Sequence, residues 1–522
     1  MIRDLLIGID AGTSVIKSVA FTRRGEQIAC FALPNTYESI DGVGAEQDMA
    51  RTWSDTAATL RGLAGLVPDL ERRTAAIAVT AQGDGTWLID DDGRPVAPAW
   101  LWLDARAGDI AQTIRDAPEG RAIFERTGSG VNACQQGTQL LWLKRHRPDV
   151  VARAATALHC KDWLYFKLTG VRACDPSESI FTYGNMRTRA VDPAVVAALG
   201  LTDEARLIPP IVDGMREVGE LTDVAAREIG FEPGLPIVLG YVDVITTILG
   251  AGLFDPEAQA GCTVIGSTGM HARLASSIDD VVLNPDCTGY TMAFPIAGAF
   301  AQLQSNMAST INIDWLLDLA RGVLSDHDVS ISRRDLLAGV DARVLSAEPG
   351  SLIFHPYISE AGERGPFVDP TARAQFLGLS VRHGYSDLMR AVFEGLAFAA
   401  RDCYAVMGGV PAEIRVTGGA ARSKAMRTIM GGVLGARIRT SSREEAGAAG
   451  VAMIAAVALG FYPDLSACAE DWVRPLLQPA LDPDPILVDR YDRLFPAYVA
   501  GRKASAPVWH ALHEQRRERH HG

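Results

Sequence analysis

No Cys-x-x-Cys pair occurs among the eight cysteines at positions 30, 134, 160, 174, 262, 287, 403 and 468. That absence excludes the usual zinc-ribbon and dithiol spacings. It leaves scattered thiols, expected to be reduced and mostly buried as in a cytoplasmic protein. No Gly-x-x-x-x-Gly-Lys-Ser/Thr stretch is present, which removes the P-loop route to a nucleoside triphosphate. Basic residues are in deficit, 50 Lys and Arg against 63 Asp and Glu, giving a net charge of −13. A chain of that sign is expected to have no nucleic-acid partner, because phosphate backbones demand basic surface. Long apolar runs are missing as well. After Arg3-Asp4 only five apolar residues precede Asp10, so no secretory signal is expected. Residues 446–462 carry no charge but are rich in Ala and Gly and stop at Pro463. They are too short for a bilayer and read as a helix buried between two sheets, so no membrane partner is expected.

What is present has the composition of a globular protein, 48% hydrophobic and 22% charged. At 522 residues the chain exceeds what one core usually serves, and two large domains are expected. The organising stretch runs over residues 5–21, where two apolar β-branched segments flank Asp10-Ala11-Gly12-Thr13-Ser14. It reads as a strand–turn–strand hairpin whose turn amides form a nest for phosphate oxygens. Asp10, at the end of the first strand, needs a cation or donors to offset its desolvation. A helix over 48–67 and a strand over 74–79 follow, the latter running into Gln82-Gly83-Asp84. If 99–104 is a strand, Trp100, Trp102 and Asp104 share one face. Aromatic rings beside a carboxylate suit a sugar or polyol, although core packing is the commoner use of such tryptophans.

The architecture then restarts. Residues 237–243 form a strand that delivers Asp243 at its end, and 244–253 read as a helix. Residues 262–274 form a second hairpin around Gly266-Ser267-Thr268-Gly269. Two such hairpins predict duplicated α/β lobes facing each other across a cleft. Gly128-Ser129-Gly130-Val131-Asn132-Ala133 fits a dinucleotide fingerprint, but it follows a helix-like stretch rather than a strand and fails its context. The basic end (Arg502, Lys503, Arg516, Arg517, Arg519) reads as a solvated tail, and His520-His521 is too short for a metal site.

In order and spacing these motifs resemble the FGGY family of carbohydrate kinases, within the actin/hexokinase/Hsp70 superfamily of ATPases. Asp10 to Ser14 with Lys17 resemble the first phosphate motif and Gly266 to Gly269 the second. Gly362-Glu363-Arg364 before Pro366 resembles the GERxP turn, and the stretch from Ala374 to Glu394 the second family signature. Gly418-Gly419 with Ser423 resembles the adenosine motif, closed by Glu445 and Gly450. Three departures stand out: Gln139 where a Lys is usual, Gly431-Gly432 where an acid is common, and Thr310 with Asp314 beside the nucleotide. Adenine contacts near the last pair stay unassigned.

The resemblance implies two actin-like, ribonuclease H-like α/β domains across an ATP and substrate cleft. Residues 1–247 would bind the polyol and carry the first hairpin, 248–490 would bind the nucleotide, and 491–522 would form a helical basic tail. ATP and Mg2+ are the implied cofactors. Asp243 aligns with the catalytic base, and Asp10 and Asp243 with the metal site. Gly12, Thr13, Ser14, Lys17, Gly266, Ser267, Thr268, Gly269, Gly418, Gly419 and Ser423 would hold ATP. Gln82, Asp84, Trp102, Asp104 and Asp243 would hold the acceptor. A carboxylate of pKa about 3.9 cannot pre-ionise an alcohol with a pKa near that of water, about 15.7. It can orient the hydroxyl and take its proton late.

Asp84 would repel an anion, so a small neutral polyol or sugar is the expected partner. Residues 81–87 and 159–165 resemble family members acting on erythritol, a four-carbon polyol. Xylulose or glycerol are the alternatives within the family, and an actin-like ATPase or sensor with no acceptor is the alternative outside it. Asp84 could also simply cap its own turn through the amides of Thr86 or Trp87. For assembly, a homodimer is the expectation carried forward.

Overall fold

The computed structural model describes residues 3–253 and 260–521, with side chains described as far as 516. The side chains of Arg517, Arg519, His520 and His521 therefore lie outside the described residues.

Two six-stranded sheets form the frame. The first contains β1 (Leu5–Ala11), β2 (Val15–Thr22), β3 (Gln27–Pro34), β4 (Thr74–Ala81), β5 (Gly219–Glu220) and β6 (Pro236–Leu239), in the order β5-β6-β4-β1-β2-β3. The second contains β7 (Ala260–Ile265), β8 (Gly269–Ala275), β9 (Tyr290–Ala293), β10 (Phe300–Asn306), β11 (Glu413–Thr417) and β12 (Arg437–Thr440), in the order β9-β10-β8-β7-β11-β12. In each, an antiparallel hairpin (β1–β2, β7–β8) pairs on its other side with a parallel strand (β4, β11). The expected duplication is thus present in the strand pairing. β1 and β4 are buried on both faces apart from Asp10, which explains their near-continuous apolar composition.

The helices that matter for the site are α1 (Met49–Leu66), α2 (Cys160–Thr169), α3 (Pro176–Tyr183), α4 (Asp243–Gly250), α5 (Thr310–Ser325), α6 (Tyr385–Val406), α7 (Lys424–Leu434), α8 (Ala446–Ala458) and α9 (Pro485–His521). Asp48 caps α1 by accepting from the amides of Ala50 and Arg51. The uncharged segment of the sequence becomes α8, buried over residues 446–456. Its core unites side chains of both sheets, among them Leu6, Ala78 and Val238 from the first and Cys262 and Ala301 from the second. The helix is rich in Ala and Gly because backbone meets backbone there. A Cβ on Gly8 would lie 2.2 Å from the carbonyl oxygen of Ala448, one on Gly250 2.1 Å from that of Ala446, and one on Gly450 1.9 Å from that of Thr246. Among the described residues no helix is long and apolar enough to cross a membrane. All eight cysteines are free thiols.

Two sequence expectations are corrected. The strand at 99–104 is only Ala99–Trp100, because the chain turns at once, with Asp104 N–H donating to Leu101 O at 3.0 Å. The C-terminal basic residues are not simply a solvated tail. Tyr491 and Tyr498 of α9 are fully buried, and Arg502 pairs with Asp402 at 2.9 Å while covering the Phe367 ring. Lys503 and Arg516 are exposed.

Gly450→Ala is expected to lower unfolding stability by about 1–3 kcal/mol, since the added methyl overpacks a helix crossing that has no side chain to yield. Gly65→Ala, in α1 with nothing near its Cβ position, should be neutral or slightly stabilising. Denaturant midpoints of the two variants check the contrast.

Candidate active site

The two hairpin turns face a common cavity of about 270 Å³. Thr13 of the first and Thr268 of the second both line it, together with Asp84, Trp102, Asp243 and Arg364. Thr13 is held from two sides. Its hydroxyl donates to Gln82 Oε1 at 2.8 Å and accepts from Trp102 Nε1 at 2.8 Å. Gln82 Nε2 in turn donates to Gln47 Oε1 at 2.9 Å. Gln82 therefore fixes the hairpin from behind and is not itself among the lining residues. Asp104 is not brought to the cavity. Its carboxylate accepts from Ala45 N–H at 2.9 Å and from the Arg106 amide and guanidinium, and it folds the 101–106 turn.

In the first hairpin Asp10 stands opposite Lys17, and the Gly12 amide closes the turn on Val15 O at 3.0 Å. Ser14 is exposed at the tip. Lys17 Nζ donates to Glu445 Oε2 at 2.7 Å, at the head of α8. In the second hairpin the start of α5 grips the turn. The Ser309 and Thr310 amides donate to Ser267 O and Gly266 O at 2.7 and 3.0 Å. Gly418 extends from β11 beside it with φ +93°, and its missing Cβ would lie 2.5 Å from Ile265 O. Gly418 and Gly419 are exposed. Ser423 is engaged as the cap of α7, accepting from Met426 N–H at 3.0 Å and donating to Asp341 at 2.6 Å. Asp314, by contrast, is paired with Arg333.

Asp84 has φ +52°, a left-handed conformation that Asp tolerates better than most residues. It does not cap its own turn, since the Thr86 amide donates to Trp100 O at 2.8 Å. Its Oδ2 accepts from Cys134 Sγ at 3.3 Å and from Tyr290 OH at 3.4 Å, while Oδ1 is buried with no partner among the described residues. Burial raises its pKa, against the opposing pull of Cys134 and Arg364. Tyr290 and Arg364 belong to the second half of the chain, so this carboxylate sits where the lobes meet.

Asp243 opens α4, and its Oδ1 accepts from Val244 N–H at 2.6 Å. Burial, with the charge of Asp10 adding to it, pushes its pKa up to about 8. Burial also pushes Asp10 up to about 6, even with Lys17 beside it. Two half-buried carboxylates, the charge of one raising the pKa of the other, are an oxygen donor set suited to a hard divalent cation such as Mg2+.

Behind the cavity lies a charged hub of which sequence reading singled out only the stretch 159–165. Lys161, fully buried, is bonded to Asp162 at 3.0 Å, to Asp175 at 2.7 Å and to Glu178. Burial alone would depress the Lys161 pKa, but these three acids hold it well above the usual lysine value. Glu178 Oε1 accepts from the Asp84 amide at 2.7 Å. Asp175 accepts from Ser177 Oγ, which itself accepts from Val242 N–H at 3.0 Å. One ammonium thus anchors the backbones of both Asp84 and the residue preceding Asp243. His159, Asp162 and Glu178 converge as metal-ligating groups would, but the Lys161 ammonium already supplies the cation there.

Comparison with known proteins agrees with this geometry. The FGGY family of carbohydrate kinases, N-terminal domain, matches residues 5–250, and its C-terminal domain matches residues 286–459. The chain belongs to the FGGY family of carbohydrate kinases. Erythritol kinase of Brucella abortus (strain 2308) is 51% identical over 98% of both chains. L-xylulose/3-keto-L-gulonate kinase of Escherichia coli (strain K12) is 27% identical over 93% of this chain and 95% of its own. Among solved structures, xylulose kinase from Rhodospirillum rubrum superposes with a TM-score of 0.87 at 26% identity, covering 97% of this chain and 100% of that one.

Two departures from the family pattern have local explanations. Gln139 uses both ends of its amide, accepting from Thr86 Oγ1 at 2.8 Å and donating to Leu101 O at 3.0 Å in a fully buried site, where a charged lysine would incur a desolvation cost. A Cβ on Gly432 would lie 2.8 Å from Leu487 Cβ of α9, which leaves no room for an acidic side chain.

Lys161→Met is expected to destabilise the protein by about 3–5 kcal/mol, because it strands buried carboxylates without their cation. Urea unfolding of the variant and wild type at neutral pH measures the difference.

Proposed function

We propose that this FGGY kinase transfers the γ-phosphate of ATP to a terminal hydroxyl of erythritol, giving erythritol phosphate. The observation that carries the polyol reading is Asp84 Oδ1, a buried carboxylate oxygen without a donor in a small cavity. A ligand with a hydroxyl donor satisfies it, whereas a group that only accepts hydrogen bonds does not. Arg364 at the same place donates to Ser305 Oγ at 3.0 Å and lies within electrostatic reach of Tyr290, Cys134, Asp84 and Glu363. The remaining wall, with Phe181, Val242 and Met292, suits the C–H faces of a short carbon chain. The 51% identity to a kinase named for erythritol supports that acceptor over xylulose or glycerol.

In this reading residues 1–247 hold the acceptor and 248–490 the nucleotide, and the free thiols suit a cytoplasmic setting. Asp243 orients the acceptor hydroxyl toward the phosphate and takes its proton as the new bond forms. Asp10 and Asp243 would hold Mg2+, which when bound neutralises triphosphate charge and keeps both carboxylates ionised. Lys17 and the turns at Gly12–Ser14 and Gly266–Gly269 cradle the phosphates, and Gly418, Gly419 and Ser423 border the adenosine. Trp102 packs on the acceptor while keeping Thr13 in place. Acceptor-dependent ADP release across a panel of polyols and ketoses tests the reading. Hydrolysis of ATP indifferent to every acceptor would favour an actin-like ATPase instead.

Asp243→Asn should keep fold and ATP binding yet lose about 10²–10⁴-fold in turnover, the usual contribution of a general base. Steady-state rates within about threefold of wild type would remove Asp243 from that role.

Asp84→Ala should reduce kcat/KM for erythritol by roughly ten- to several-hundred-fold with little change in ATP affinity, since charge-assisted hydrogen bonds run about 1.5–3 kcal/mol each. Asp84→Asn should be impaired too. A silent Asn variant would show that the carboxylate charge is not used.

A further inference from the structure

One side of the acceptor cavity is apolar, and a single pair of residues decides its reach. Val242 caps the start of α4, directly before Asp243, and is 1% exposed. Gly83 faces it from the end of β4, and both line the cavity. A Cβ on Gly83 would lie 2.4 Å from Val242 Cγ2 and 3.3 Å from Glu178 Oε1. The Val242 methyl group therefore fills the space that a side chain at position 83 would take.

Neither partner is free to move away. The Val242 amide is fixed to Ser177 Oγ, and the Asp84 amide, next to Gly83, is fixed to Glu178. Both anchors return to Lys161, through Asp175 and Glu178. The gap between residues 83 and 242 is thus set by one rigid, buried ion cluster. The cavity, at about 270 Å³, falls just below the usual span of small-molecule sites, roughly 300–1,000 Å³.

We infer that Val242, packed against Gly83, is a specificity-determining residue that limits the length of the acceptor's carbon chain. The inference rests on the proposed reading of this cavity as the polyol site and of Asp243 as the base. An acceptor with its reacting hydroxyl at Asp243 and its other hydroxyls at Asp84 runs its carbons past Val242. An added carbon must then enter space that the Val242 side chain occupies. In an apolar pocket one methylene more or less is worth about 10- to 200-fold in kcat/KM.

The test is kcat/KM for erythritol and for the five-carbon acceptors ribitol and xylulose, with melting temperatures, in wild type, Val242→Ala, Val242→Thr, Gly83→Ala and the Gly83→Ala/Val242→Ala double variant. Val242→Ala should raise the five-carbon to four-carbon ratio at least about tenfold, whereas Val242→Thr, which keeps the shape of the wall, should leave the ratio near wild type. Gly83→Ala should lose at least about tenfold on erythritol, and the double variant should recover most of that loss, the non-additivity expected of two side chains competing for one space. A ratio unchanged in Val242→Ala, or single effects that simply add in the double variant, would overturn the inference. Should Val242→Ala not fold, an erythritol kcat/KM unaffected by Gly83→Ala would overturn it equally. Wild type inactive on both four- and five-carbon acceptors would instead bring down the polyol reading, and this inference with it.

Discussion

The close approach of α4 and α8 is the constraint on which the site depends. Glycine is required where their backbones touch, since Cβ atoms on Gly250 and Gly450 would lie 2.1 and 1.9 Å from opposing carbonyl oxygens. That single crossing places three groups of the candidate site. Asp243 opens α4, Glu445 precedes α8 and takes Lys17, and Gly447 leaves room for Asp10, whose Oδ2 would lie 2.5 Å from a Cβ there. An uncharged Ala/Gly helix is a poor bilayer span but a good spacer between two sheets. Its composition follows from packing distance more than from hydrophobicity.

The second constraint is electrostatic. A buried ammonium with three buried acids is costly to desolvate, and an apolar cluster of similar volume would often stabilise a fold as well or better. What the Lys161 hub supplies in return is directional. It ties the amides of Asp84 and Val242 to one point, so the Asp84 carboxylate and the segment leading to Asp243 cannot drift independently. A site working by positioning and charge loses rate quickly when its groups are misplaced by an ångström. Rigidity behind the cavity is therefore a reason for charge to be buried there.

Much of the frame was legible in the sequence because its signals are local. The hairpins at 5–21 and 262–274 declare themselves by apolar runs around Gly and hydroxyl turns, and Asp84 and Asp243 by their places after strands. Asp104 was misjudged because period-two alternation assumes a strand that the chain abandons at Leu101, and the carboxylate's partner, Ala45, lies far away in sequence. Arg502 looked like tail for the same reason, its partner Asp402 being on another helix. Tyr290 and Arg364 left no trace as cavity residues, since they reach the cavity only through the meeting of the lobes. Lys161 and Glu178 are written in the sequence like any surface pair, and burial alone distinguishes them.

That meeting of the lobes bears on how a kinase avoids spending ATP on water. Asp84 lies on the first half of the chain, yet Tyr290, its hydroxyl donor, and Arg364, whose charge opposes the rise in its pKa, come from the second. On the proposed reading, the acceptor site is complete only when the halves are together, and the same approach brings Thr13 and Thr268 to one cavity. Separated, the lobes would leave Asp84 without Tyr290 and Arg364 and the two phosphate turns apart. Completing the acceptor site and assembling the phosphate grip are then one event. Water, which can neither pack against Val242 and Phe181 nor span to Asp84, lacks the binding energy to drive it.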